Sequence, residues 1–166
     1  MAVGFGGLEM LVIRNAMADD APLLKGLIDE FAAFERLSAA VTEESLRRDG
    51  FGADPQFRAF IAEWDGVPAG YALFFECYSS FQGRGIFLED LFVRGEFRGK
   101  KVGKALIARV AAHARERNCF GVIFNVLDWN RPAIDFYREL GAEFWNDWKT
   151  VCLRGDALQT LAETVR

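Results

Sequence analysis

Apolar residues change their period several times along the chain, and each change marks a predicted element. Met10 to Arg14 has the apolar character of a short strand. Asp19 and Asp20 are expected to supply caps and helix-start charge for a run in which Leu23, Leu24, Leu27, Ile28, Phe31 and Phe34 recur at helical spacing. A second, short helix is expected from Thr42, with Glu44 and Ser45 in its first turn, to near Gly50. The pattern then turns strand-like. Phe57 to Trp64 breaks at Asp65-Gly66, a hairpin signal, and Val67 to Tyr78 is its partner. After the turn-prone Ser79, Ser80 and Gly83, a third strand runs from Gly85 to Val93. Val102 to Arg117 is amphipathic, with Val102, Ala105, Leu106, Arg109, Val110 and His113 along one side. A buried strand is expected over Gly121 to Leu127, then a helix capped by Asn130, with Pro132 in its first turn and Gly141 as its stop. Trp148 to Leu153 is expected as the strand that closes the sheet.

This order predicts a mixed α/β (α+β) sheet. The meander makes it mostly antiparallel, and the strand–helix–strand crossover adds a parallel pair. The 166 residues fit one domain over 10–166, with residues 1–9 as a loose extension. Composition changes that picture little. Hydrophobic residues make up 51% and charged residues 27%, an ordinary globular balance, and 16 Phe point to an aromatic-rich interior. The net charge of −4 argues against the molecule as a whole binding nucleic acid and suits a cationic small molecule. Cys77, Cys119 and Cys152 form no CxxC pair, and with the single His113 they offer no zinc set; they are expected as core or near-core thiols. No signal peptide or membrane-spanning run is read, so a cytoplasmic protein without a metal is expected.

The most informative segment is FLEDLFVRGEFRGKKVGKAL, Phe87 to Leu106. A strand ends at Val93, and Arg98-Gly99-Lys100-Lys101-Val102-Gly103 leads directly into a helix. Free backbone N–H groups and the positive end of the helix dipole make such a start an anion site. Arg94, Arg98, Lys100, Lys101 and Lys104 add cations, so phosphate or pyrophosphate binding is the functional reading, and a solvated basic helix start is the plain one. A Walker loop is excluded, because Arg98 stands where its first Gly must lie and no Ser or Thr follows Lys104. A dinucleotide fingerprint fails for want of its three spaced glycines.

LEDLFV followed by RGKKVGKAL resembles the acetyl-CoA pyrophosphate loop of the GNAT N-acetyltransferases, and VLDWNRPAIDFYRELGA resembles that superfamily's later strand, Asn-led turn and tyrosine-bearing helix. MLVIRNA, RDGFG, LED and VLDWN are further similar to its spermidine/spermine (diamine) and thialysine acetyltransferase branch. The resemblance spans Met10 to Leu153. It implies a GNAT-like sheet with helices on both faces and a splayed strand pair that binds acetyl-CoA. One departure stands out: the family loop reads R-G-x-G-x-G, and Lys101 occupies its middle Gly. If that position demands a left-handed backbone, lysine costs about 1 kcal/mol there.

The resemblance also implies roles. The backbone of Leu91, Phe92 and Val93 would meet the acetyl carbonyl and pantetheine arm. Arg98, Gly99, Lys100, Lys101, Val102, Gly103 and Lys104 would hold pyrophosphate, and Asn130 would contact the cofactor. Tyr137 would be the general acid beside the sulfur; its spacing alone equally describes a core tyrosine. Glu89 would be the base that takes the ammonium proton, and Asp90 would hold a substrate cation. Adjacent strand residues face opposite sides, so both can serve one cleft only if a bulge intervenes. Glu35 and, less directly, Glu76 are further acids for an amine cleft, with Phe34, Phe81 and Trp148 to line its alkyl part. Ser79 stands where polyamine-preferring members carry an acid, which favours a shorter diamine or a thialysine-like amino acid. His113 reads as structural.

The expected activity is direct acetyl transfer from acetyl-CoA to a primary amine of a small cationic metabolite. A non-catalytic acetyl-CoA sensor is the alternative from another class. A homodimer is implied by the branch alone.

Overall fold

The chain is described here by a computed structural model over residues 10–165; the expected extension over 1–9 lies outside the described residues. It divides into two compact units, one up to Asn125 and one from Val126.

In the first unit five strands form one sheet in sequence order: β1 (Leu11–Asn15), β2 (Arg58–Trp64), β3 (Val67–Ser79), β4 (Gly83–Val93) and β5 (Val122–Ile123). The first four pair antiparallel, and β5 runs parallel to β4 after the crossover through α3 (Val102–Glu116). The β2–β3 turn takes the primed form expected of its Asp-Gly pair, with φ +50° at Asp65 and +78° at Gly66. β5 is shorter than the sequence predicts. Only Ile86↔Val122 and Phe87↔Ile123 pair, so the ladder between β4 and β5 ends at Ile123.

The sheet separates two cores. On one face Phe60, Phe74, Ile86 and Leu88 pack with Val102, Leu106 and Val110 of α3. On the other, Ile61, Tyr71, Leu73 and Phe92 pack with Leu24, Leu27 and Ile28 of α1 (Ala21–Phe34) and Leu46 of α2 (Glu43–Phe51). The apolar spacing read from the sequence matches these buried faces. α2 begins with a reciprocal cap: Ser45 N–H donates to Thr42 Oγ1 at 3.1 Å, and Thr42 N–H donates to Ser45 Oγ at 2.9 Å. Asp20 stands at the start of α1, but its carboxylate accepts from Arg14 at 2.7 and 2.8 Å instead of capping the helix. His113 is structural, as expected. Its ring packs on Phe60 and Phe74, and its Nε2 is buried without a hydrogen-bond partner.

In the second unit Asn130 caps α4 (Arg131–Glu139), its side chain accepting from Ala133 N–H at 3.3 Å. The helix stops at Gly141, with φ +80° and a bond from Ala142 N–H to the Tyr137 carbonyl at 3.0 Å, which is a Schellman closure. Two expectations are corrected here. Trp148 to Leu153 forms no strand: the segment has no ladder partner, and Trp148 and Val151 are 76% and 86% exposed. Beyond it lies an unpredicted helix, α5 (Gly155–Ala162), with no buried residue. Cys152, expected near the core, is likewise exposed, whereas Cys77 and Cys119 are half-buried. No described helix is long and apolar enough to cross a membrane.

Candidate active site

The site grows from an irregularity in β4. Phe74 pairs with Leu88 and Leu73 with Asp90, which leaves Glu89 as an extra residue between them. Before this bulge Ile86 and Leu88 face α3; after it Phe92 faces the α1–α2 core, with Leu91 and Val93 on the α3 side. An undisturbed strand would send Asp90 toward α3, beside Leu88. The bulge turns it to the other face.

There Asp90 meets a partner that sequence reasoning missed. Tyr71 on β3 is wholly buried, and its phenol donates to Asp90 Oδ2 at 2.8 Å. Burial and the neighbouring carboxylate push the Tyr71 phenol far up, so it stays the donor. Burial raises Asp90 to about 6; the Tyr71 bond pulls it down, and the charges of Glu89 and Glu35 push it up. Glu35, just past the end of α1, is itself raised by burial. Glu89 is exposed, close enough for its charge to act on both Tyr71 and Asp90. Thus Glu35, Glu89, Asp90 and Tyr71 form one acidic cluster. Phe92 packs against it, with ring centres 6.3 Å from Tyr71 and 5.6 Å from Phe31.

Beside the cluster lies an open cleft of about 550 Å³, lined by Glu30, Phe34, Phe92, Arg94, Gly95, Glu96 and Arg98. Arg98 lays its guanidinium 4.6 Å from the Phe34 ring centre and donates from Nε to the Val93 carbonyl at 3.1 Å. Arg94 is committed elsewhere: it binds Glu30 of α1 through two bonds of 2.8 and 2.6 Å and the Pro68 carbonyl at 2.8 Å. It is a structural clamp between α1 and the sheet.

The basic loop has the shape its sequence suggested. Gly99 and Lys101 both have left-handed backbone, φ +78° and +65°. Lys101 occupies the cap position of α3 without a side-chain cap bond, so the first turn, Val102, Gly103 and Lys104, begins with its N–H groups unclaimed by a cap. Lys100 lies over the Trp64 ring at 4.7 Å. An uncapped helix start flanked by Lys101 and Lys104 fits a pyrophosphate. The end of β4 fits an extended acyl arm: Arg94 N–H bonds to Ala69 of β3, so by alternation Phe92 also points its peptide at β3. Leu91 and Val93 therefore direct theirs to the edge that β5 leaves open, where the Val93 carbonyl accepts from Arg98 Nε. Phe92 contributes its ring to the core instead.

Two other expected residues, Glu76 and Phe81, fall away from this cleft. Glu76 is on the α3 face, paired with Arg117 at 2.9 Å. Phe81 projects, 90% exposed, from the β3–β4 turn; Asp90 lies on the order of 20 Å away along β4. Asn130, Tyr137 and Trp148 belong to the second unit, where Tyr137 is buried and Trp148 exposed. Among the described residues no His, Cys, Asp or Glu grouping could hold a metal.

Comparison with known proteins agrees with this geometry. Residues 24–142 match the Acetyltransferase (GNAT) family. The chain is 36% identical to thialysine N-epsilon-acetyltransferase of Bos taurus, over 93% of this chain and 99% of the relative. It is 40% identical to L-ornithine N5-acetyltransferase of Arabidopsis thaliana, over 90% and 86%. Among solved structures, an aminoglycoside N-acetyltransferase in complex with CoA superposes with a TM-score of 0.72 at 22% identity, over 92% of this chain and 99% of that one. With that fold and this cleft, the chain belongs to the GNAT family of acetyltransferases and is an N-acetyltransferase.

Proposed function

We propose that the acceptor is a primary amine of a short, cationic metabolite, of the diamine or thialysine-like kind, and that Glu89 and Tyr137 carry the proton transfers. The observation behind this reading is the cluster of Glu35, Glu89 and Asp90 at the β4 bulge, beside an uncapped basic helix start. An ammonium group is attracted to such a site and must lose its proton before it can attack. Glu89, the exposed acid of the cluster, is the base. Glu35 and Asp90 hold the substrate's charge. Tyr137 donates to the departing sulfur, as the family resemblance implies.

Acetyl-CoA supplies the activated acyl group as a thioester. The loop from Arg98 to Lys104 binds its pyrophosphate, Leu91 and Val93 bind the arm at the open strand edge, and Asn130 contacts the cofactor, as the family resemblance implies. Lys101, the departure from the family loop, adopts a left-handed backbone, the conformation a glycine takes readily. The chain from residue 10 is read as one cytoplasmic acetyltransferase domain that works as a homodimer. Exposed Trp148, Val151, Leu153, Leu158 and Leu161 supply apolar surface for a second copy.

The test is thiol release from acetyl-CoA across thialysine, ornithine, putrescine, spermidine and an aminoglycoside, with mass spectrometry of the product. Acetylation of a short diamine or a thialysine-like amino acid is expected, and Tyr137→Phe should lower kcat by about 100-fold or more. Full turnover by that variant would overturn the acid assignment. Turnover of the aminoglycoside alone would overturn the acceptor class.

A further inference from the structure

A phenol buried in a protein core costs free energy unless its hydroxyl is bonded, and phenylalanine would fill the same space without that demand. Tyr71 is wholly buried among Ile61, Leu73 and Phe92, so its hydroxyl calls for a reason. Its partner is Asp90, and among the described residues Tyr71 is the one hydrogen-bond partner of the Asp90 carboxylate. The pair exists because of the bulge at Glu89, which turns Asp90 to the Tyr71 face. The surroundings are otherwise hostile to a carboxylate: apolar side chains beneath, Glu89 beside it on β4, and Glu35 reaching it from the end of α1.

We propose that Tyr71 is a positioning residue for the acceptor amine: its phenol fixes Asp90 Oδ2 from inside the sheet and leaves Oδ1 to bind the substrate's cation. This deepens the proposed function and rests on it for the identity of the cation. Tyr71 does not touch the reacting atoms. It sets the orientation of Asp90 and stabilises its ionised form, as a donor to a carboxylate does. Without the hydroxyl, Asp90 would keep its proton to higher pH against Glu35 and Glu89, and the cleft would lose a fixed negative charge.

The experiment compares wild type, Tyr71→Phe, Asp90→Asn and the double variant, with thialysine and putrescine as acceptors across pH 5 to 9. Tyr71→Phe conserves volume, and thermal melting checks that it folds. The expected result is a KM for the amine raised about 5- to 10-fold at neutral pH, with kcat less affected and the acidic limb of kcat/KM moved up by about one pH unit. In the Asp90→Asn background the same change should add nothing to KM. An unchanged KM and acidic limb, or the same fold-loss with Asn at 90, would overturn the proposal. A second readout needs no turnover: carboxyl-carbon NMR titration of Asp90, whose midpoint should rise by about one unit in Tyr71→Phe. If wild type acetylates neither amine while that midpoint moves, the acceptor assignment fails and the Tyr71–Asp90 coupling stands; an unmoved midpoint overturns the coupling.

Discussion

Lys101 shows what one residue can cost and keep. Its φ of +65° lies where an L side chain crowds its own carbonyl, at about 1 kcal/mol, and α3 begins there without a side-chain cap. Lys101→Gly should therefore gain about 0.5–1 kcal/mol in urea unfolding, and raise the KM for acetyl-CoA if the ammonium reaches phosphate. A loss of stability would mean that the lysine makes compensating contacts. The glycine-like conformation was foreseeable from the family loop. Two other residue-scale features were not. FLEDLFV shows two adjacent acids in an apolar strand, which raises the question of a bulge, but no periodicity places it at Glu89. Tyr71 in GYALFF reads as one more core aromatic, because its role depends on a register shift in the neighbouring strand.

Elements were legible where local chemistry decides them and illegible where partners do. Asp65-Gly66, the Thr42 cap, the Asn130 cap and the Gly141 stop all took their expected forms, since each is set by backbone geometry within a few residues. The Thr42 cap satisfies two orphan donors reciprocally, so Thr42→Ala should cost about 1 kcal/mol in thermal or urea unfolding; an effect below about 0.3 kcal/mol would show that α2 is held by its packing, through Leu46, Gly50 and Phe51. In contrast, β5 stops after Ile123, and 148–153 has apolar residues but no strand to pair with. A strand's existence depends on a neighbour that one-dimensional spacing cannot supply. α5 was missed for a related reason: Leu158 and Leu161 lie at helical spacing, but its length of eight residues and exposed faces give a weak pattern. The homodimer reading would give these faces their cover, and light scattering near twice the 18.6 kDa chain mass is the expected result. A monomer would remove that account of the exposed surface.

At the scale of the molecule, two half-buried titrating groups on opposite faces of the sheet pull stability in opposite directions with pH. Asp90 is raised from 3.8 to about 6, so the native state binds its proton more tightly than the unfolded chain does. Its contribution is fully present below pH 3.8 and is lost as pH rises through 6. His113 is lowered from 6.5, chiefly by burial, so its contribution is present above pH 6.5 and is lost as pH falls below that. Asp90→Asn keeps an acceptor for Tyr71 and removes the charge. It should raise unfolding free energy by about 1–2 kcal/mol at pH 8, after allowance for partial solvent screening, and leave it nearly unchanged at pH 4. His113→Leu should give the reverse ordering, with its benefit larger at pH 5 than at pH 8. Urea unfolding of the three proteins across this range separates the two groups. A gain for Asp90→Asn that is equal at pH 4 and pH 8 would show that Asp90 is not strained by its charge. If the gain follows the expected sign, the cleft holds an acid that costs the fold stability at the pH where an amine must be bound, which is the mark of a residue kept for its site.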